Sequence, residues 1–517
     1  MVLGMLAVGG IQAQSESGST ALNQKPSVEN GTIPTSALRA EGDLWSLDQA
    51  AESYAGGTGT EADPYQIATV EQFIKLCKDT YDSESKGEVF CEGVYFKQTA
   101  DIDLSAAYSN ALRIGLGGFF SGTYDGGNFA IKGFKQIGSS DAEIGSYNMG
   151  ISPFANALNA TIKNVVMEDY STEINYSKFN NGGIRGGMLV YEPQNTVIEN
   201  CTVSGDINIT ASGENLTLSI GGLSGNATDT KINNCHTSGT ITIKYNLTSA
   251  PADDSNFSSI GGIVAEAVEE TIIMNSTNAI SIDNEAEGTS DGGITARVAG
   301  ITTWSNNENT KILNCSNTGA LKAVSKTANN VQVAGIISCC VNAYMANVWN
   351  ASTLISEGGV EGSNIGGIVA YLENLKTEFC AYDKDLYGAT DEHKPGNAYD
   401  TDFMQSQDFV DRLNSSLPED CTPWQYVEGS YPVLGTSEEQ PEDPTASESI
   451  AKSEISFRTV PGAVVITAPE ATQFAAYTFT GATQATQLIP AGTTTVNLPA
   501  GLYILKIGEE TYKVNVK

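Results

Sequence analysis

Ile232-Asn233-Asn234-Cys235 is one of seven versions of a short phrase in this chain: an aliphatic residue, two more positions, then asparagine and a small side chain. Upstream stand Ile162-Lys163-Asn164-Val165 and Ile198-Glu199-Asn200-Cys201. Downstream follow Ile273-Met274-Asn275-Ser276, Ile312-Leu313-Asn314-Cys315, Val348-Trp349-Asn350-Ala351 and the diverged Thr377-Glu378-Phe379-Cys380. The asparagines step by 36, 34, 41, 39 and 36 residues, and Phe379 follows 29 later. A period of this size marks a solenoid, whose units bury their apolar faces only by stacking on one another.

The rest of each repeat fits the same architecture. A small-Gly pair leads into apolar residues at Gly186-Gly187-Met188, Gly221-Gly222-Leu223, Gly261-Gly262-Ile263, Ala299-Gly300-Ile301, Ala334-Gly335-Ile336 and Gly366-Gly367-Ile368. A third strand follows the Asn phrase, as in Ser204-Gly205-Asp206-Ile207 and Ser238-Gly239-Thr240-Ile241. Three short strands separated by bends make one coil of a parallel β-helix, expected to be right-handed, over residues 148 to 385. The asparagine is placed at a bend, bonding backbone of its own coil and the next. Length varies most between the third strand and the next Gly pair, so loops such as Thr248 to Asn256 are expected to project there for recognition.

Composition agrees. Of 517 residues, 53 are Gly and 16 Pro, and charged residues make up only 17%. That suits strands and turns. The net charge of -34 comes with scattered Lys and Arg, which excludes nucleic acid and anionic membrane as partners. Two readings of the acidity stay open, a solvated exterior and calcium bound along acidic loops. No transmembrane segment is legible.

Residues 1–13 read as a secretory signal peptide, truncated because its basic n-region is missing, and 14–55 as an irregular lead-in. Thr69-Val70-Glu71-Gln72 is a capping box opening a helix that plugs the solenoid end. Asp125-Gly126-Gly127-Asn128 is expected to join two strands as a tight hairpin turn. Residues 406–413 form a short capped helix, 436–450 a linker, and 451–517 a small antiparallel β-sandwich. The fold class is all-β.

The Gly56 to Leu104 stretch, the Phe120 to Phe134 segment and the Gly-Gly-Ile-Val repeats resemble bacterial secreted proteins with GLUG-type repeats. The resemblance covers residues 56–435, although only Gly222-Leu223-Ser224-Gly225 keeps both motif glycines. It implies a surface or adhesin-like protein; such repeats also stand beside the protease domains of some immunoglobulin-cleaving enzymes. The ending, with Leu498-Pro499-Ala500-Gly501-Leu502-Tyr503 and Tyr512-Lys513-Val514, resembles the C-terminal sorting domains of Bacteroidetes type IX secretion. That resemblance implies export and attachment at the outer cell surface.

Candidate chemistry is sparse. Asp101 and Asp103 share a strand face and could serve glycoside hydrolysis, but read as turn-bonding scaffold; Asp125 belongs to a turn. Arg185 and Arg297 are isolated near bends. His236 and His393 read as surface residues. Asp383-Lys384-Asp385 begins like a calcium loop, which Tyr387 and Lys394 then break. Two histidines and no paired CxxC spacing leave no zinc site. Cys201, Cys235, Cys315 and Cys380 share one repeat position and read as a buried ladder, with a Cys201–Cys235 disulfide and a Cys77–Cys91 disulfide left open. No catalytic, cofactor or metal residue is assigned. The expectation is a non-enzymatic surface protein binding glycans, mucins or host proteins. The alternatives are a β-helix polysaccharide lyase or glycoside hydrolase, and a structural spacer.

Overall fold

The computed structural model describes residues 44–84, 91–116, 118–140, 147–249, 257–288, 295–327, 330–358, 363–387, 395–435, 456–460, 463–468, 471–478, 483–499, 501–508 and 510–516. The expected signal peptide, most of the lead-in, the linker, His393 and the tip of the Thr248 to Asn256 loop lie outside them. Contacts divide the chain into two units, Met1–Ser437 and Glu438–Lys517.

The first unit is a parallel β-solenoid of about 8 turns. Its strands stack in parallel register, coil upon coil. Thr161–Lys163 pairs with Val197–Glu199, that with Lys231–Asn233, and that with Ile272–Met274. Side chains at equivalent repeat positions therefore fall in columns. Ile207, Ile241, Ile282, Leu321 and Leu354 form one, every member buried. Each column shields its apolar surface only by having a coil above and below, which is why the period was visible in the chain.

The thiols form another column. Sγ of Cys201, Cys235 and Cys315 donates to the carbonyl of Ile162, Ile198 and Ile273 at 3.8, 3.7 and 3.6 Å. All nine cysteines are free, so neither open pairing, Cys201–Cys235 or Cys77–Cys91, is formed. Burial pushes the thiols of Cys315 and Cys380 up to about 12. Only Cys421 is not fully buried, and burial still raises it to about 11. A maleimide or disulfide reagent at pH 8 should therefore label the native protein slowly and at Cys421 first, and all nine thiols after denaturation. Rapid labelling of a ladder cysteine in the native state would contradict this packing.

The register corrects three expectations. Asn317 pairs with Asn350, so the partner of Asn314 in the next coil is Asn347, not Asn350. The Asp125 turn is not a hairpin. Thr123–Asp125 and Ala130–Lys132 pair in parallel with different strands of neighbouring coils, and Gly127 and Asn128 turn the bend with φ of 59 and 60°. Finally, the segment before the Gly pair is not a projecting loop in the early coils. Val166–Gly186 and Thr202–Gly221 run through it as paired strands.

Helix Val70–Glu84 buries Phe73, Ile74, Leu76, Cys77 and Thr80 against the solenoid core. Thr69 Oγ1 accepts from Gln72 N at 3.4 Å, while Gln72 Oε1 reaches back to Ala68 N at 2.8 Å. The second unit consists of antiparallel sheets of three and four strands. They share one core containing Val464, Ile466, Phe474, Leu505 and Ile507. Among the described residues no helix is long and apolar enough to cross a membrane.

Candidate functional site

The Asn phrase places its asparagine in the left-handed region at every bend. φ is 54° at Asn164, Asn200 and Asn314, 52° at Asn234, 48° at Asn275 and 56° at Asn347. Asparagine tolerates this conformation better than other residues with a Cβ. The geometry also points each amide along the solenoid axis. Asn200 Nδ2 donates to Asn164 Oδ1 at 3.2 Å and Asn234 Nδ2 to Asn200 Oδ1 at 2.9 Å. Asp125 Oδ1 ends the ladder by accepting from Asn164 Nδ2 at 2.8 Å.

His236 interrupts it. Its Nε2 lies 3.1 Å from Asn234 Oδ1, and its Nδ1 lies 2.9 Å from Thr277 Oγ1. The amide oxygen can only accept, so the proton sits on Nε2 and Nδ1 accepts from Thr277. Burial holds the imidazole below its ordinary pKa, which favours this neutral form. With Asn234 Oδ1 engaged, Asn275 Nδ2 turns to Asn233 Oδ1 at 2.8 Å. His236 is thus a half-buried member of the ladder, not the plain surface residue expected from alternation.

Beyond this point the segment from Tyr399 to Leu434 folds back over the bends. Thr422 N donates to Asn275 Oδ1 at 2.8 Å, Asn314 Nδ2 donates to Thr422 O at 2.7 Å, and Trp424 Nε1 donates to Asn314 Oδ1 at 2.6 Å. Asn275, Asn314 and Asn347 are accordingly buried. Phe409, Leu413 and Trp424 of this segment share a core with Trp349, and the Tyr431 ring stacks on Trp349 at 5.8 Å. Asp383 anchors it. Its Oδ2 accepts from Tyr431 Oη at 2.6 Å and Thr401 Oγ1 at 2.7 Å, and its Oδ1 from Asp385 N at 2.9 Å. The would-be calcium aspartate is thus engaged by protein donors, and no metal-holding cluster of three His, Cys, Asp or Glu occurs among the described residues.

The uncovered half of the ladder remains open as a groove of about 750 Å³. Asn128, Asn164, Asn200 and Asn234 line it, with His236 and Thr277 beside them and Tyr431 to Gly435 closing one end. No carboxylate, lysine or arginine contributes to its lining. The phrase first legible as scaffold is therefore scaffold and groove floor together. What the chain by itself did not reveal is which rungs stay uncovered.

The other sequence candidates are dispersed. Asp101 accepts from Ala130 N at 2.9 Å and pairs with Lys132 Nζ at 2.7 Å; Asp103 accepts from Ser105 N at 2.9 Å. These bonds hold both carboxyls below the usual range. Arg185 and Arg297 are not isolated. Arg185 Nη1 is 2.9 Å from Glu192 Oε1, and Arg297 lies 4.8 Å from the Trp304 ring centre and 5.8 Å from that of Phe257.

No family model matches the chain, and no curated protein matches it. Among solved structures it is similar to a proposed immunoglobulin A1 protease from Bacteroides ovatus, with 16% identity and a TM-score of 0.34, covering 74% of this chain and 95% of that one. It is also similar to an IgA1 protease at 14% identity and a TM-score of 0.40, covering 73% of this chain and 26% of that one. Both bear the names of enzymes, and the expectation that this chain is not an enzyme is withdrawn on that account. At these identities and scores the likeness supplies no reaction, substrate or residue to this chain.

Proposed function

We propose that this is a secreted or cell-surface β-helix protein whose asparagine groove binds a linear, uncharged glycan lying along the solenoid axis. The observation that carries the reading is the uncharged, amide-lined groove itself. A ladder amide spends one N–H and one lone pair on its neighbours. Its second N–H and second lone pair remain for a ligand. Donor and acceptor side by side, repeated about every 4.8 Å along stacked coils, match a chain of hydroxyl-bearing rings. The Tyr431 to Leu434 wall supplies apolar surface against which a sugar face can rest. The resemblance of residues 56–435 to GLUG-repeat proteins, and of 451–517 to sorting domains, supports a location outside the cell, including an adhesin-like role.

Glycine at Asn200 and Asn234 removes the amides while keeping the left-handed backbone that φ of 54 and 52° requires. The Asn200→Gly/Asn234→Gly protein should fold and lose about 10-fold or more in glycan affinity by calorimetry. Wild-type protein that binds nothing on an array of neutral glycans and mucin chains would sink the reading.

A further inference from the structure

The asparagine groove has an open end and a blind one. Beside the ladder, Thr202, His236, Thr277, Ser316 and Trp349 follow one another in register, coil after coil. The last four line the groove. Exposure falls in the same order. Thr202 is exposed, His236 and Thr277 are half-buried, and Ser316 and Trp349 are only 2% and 1% exposed. The groove therefore deepens toward Trp349 and stops there, where the Tyr431 ring stacks on the indole. The path along the ladder itself is shut as well, because Thr422 and the Trp424 indole are bonded to Asn275 and Asn314. At the opposite end of the groove Asn128 and Phe129 are exposed.

The stop is a wall held on both sides. Tyr431 Oη is tied to Asp383, Val433 and Leu434 pair antiparallel with Gln425 and Trp424, and Gly435 N donates to Pro423 O at 2.8 Å. The wall is also uncharged, as is the rest of the lining. From Asn128 to Trp349 the groove spans about six coil steps of ~4.8 Å, roughly 29 Å of glycan.

We propose that the groove takes glycans end-on and selects the charge of their tip: a free, uncharged, non-reducing terminus seats against Trp349 and Tyr431, and the rest of the chain runs out past Asn128. The inference rests on the reading of the groove as a glycan site and adds which part of the glycan enters it. A blind groove admits a chain only by its end. Glycans carried on mucins and other glycoproteins are joined to the polypeptide at the reducing end, so the terminus free to enter is the other one. An acidic cap such as sialic acid is disfavoured twice. Its carboxylate would lose water at the blind end with no cation to receive it. The net charge of -34 repels it before contact. Val433 stands in the wall with its side chain 43% exposed, so a cation can be placed there without disturbing the core.

The test uses full-length protein and neutral linear hexasaccharides of β-glucan, xylan, mannan and N-acetyllactosamine type. Each is coupled to a sensor surface either by its reducing end or through C6 of its non-reducing sugar. The N-acetyllactosamine chain and mucin are also compared with and without terminal sialic acid. At least one hexasaccharide held by its reducing end should bind, and the reversed coupling should weaken it about 10-fold or more. Sialic acid should weaken the N-acetyllactosamine chain or the mucin by a similar factor, and Val433→Lys should recover about 3-fold or more of that loss. Equal affinity for the two couplings overturns the blind end and leaves the groove reading intact. Equal or tighter binding of sialylated chains overturns the charge selection, as does a folded Val433→Lys protein that excludes them as strongly as the wild type. If Val433→Lys does not fold, the two couplings and the sialic acid comparison on the wild type still decide. Wild-type protein that binds neither mucin nor any hexasaccharide removes the groove reading and this inference together.

Discussion

Alanine at Gly300 should lower the unfolding free energy by about 3 kcal/mol or more, a large effect for the addition of one methyl group. A Cβ there would lie 2.1 Å from the carbonyl oxygen of Gly335 in the next coil and 2.5 Å from Cβ and Cγ of Asn317. Neither neighbour can yield. The first is backbone held in the coil-to-coil ladder, and the second is a wholly buried side chain. The same conflict recurs at Gly262 with Asn278 and at Gly335 with Asn350, each at 2.3 Å, and at Gly367 with the Tyr382 ring at 2.5 Å. This explains the small-Gly pair. Alanine occupies its first position at Ala299 and Ala334, while the second stays glycine in all six pairs. Urea denaturation followed by circular dichroism measures the effect. A cost below about 1 kcal/mol would mean that the coils separate more easily than the close approach allows.

Asn317→Leu should be comparably damaging, for an electrostatic reason. Asn278, Asn317 and Asn350 form a second, fully buried amide ladder. Asn278 Nδ2 donates to Asn317 Oδ1 at 2.7 Å, and Asn317 Nδ2 donates to Asn350 Oδ1 at 2.8 Å and Ser352 Oγ at 2.9 Å. Asn317 Oδ1 also accepts from Gly319 N at 3.2 Å. Leucine has a similar size and removes these bonds at once, leaving buried donors and acceptors with fewer partners than before. Each such group costs about 1 to 3 kcal/mol, so a total of about 3 kcal/mol or more is expected. Asn200→Gly is the control. Asn200 is exposed and its φ of 54° suits glycine, so its cost should stay below about 1 kcal/mol. Equal losses in the two variants would show that burial is not what makes the inner ladder matter.

The slip between Asn347 and Asn350 shows where reading the chain runs short. Two asparagines three residues apart both precede a small side chain, Val348 and Ala351. Spacing alone fits either. Only the pairing of Asn317 with Asn350 assigns one to the outer ladder and the other to the inner. The column Met167, Val203, Thr237, Asn278 similarly passes from apolar to polar along the stack, so no single residue type announces it.

The coil, its period and its main buried columns were legible in the sequence, because a solenoid is built from near-neighbour stacking and repeats its chemistry wherever it repeats its geometry. Contacts that cross many coils were not legible. Trp424 covers Asn314 from 110 positions away, and this folding-back buries the rungs beyond the break at His236 while those before it stay open as a groove. The meeting of Arg185 with Glu192 likewise depends on how sharply the Gly pair bends, since seven residues along an extended strand would hold them apart. Repetition specifies the scaffold; which of its surfaces stay uncovered, and which charges face each other across a bend, is decided by the path of the chain in space.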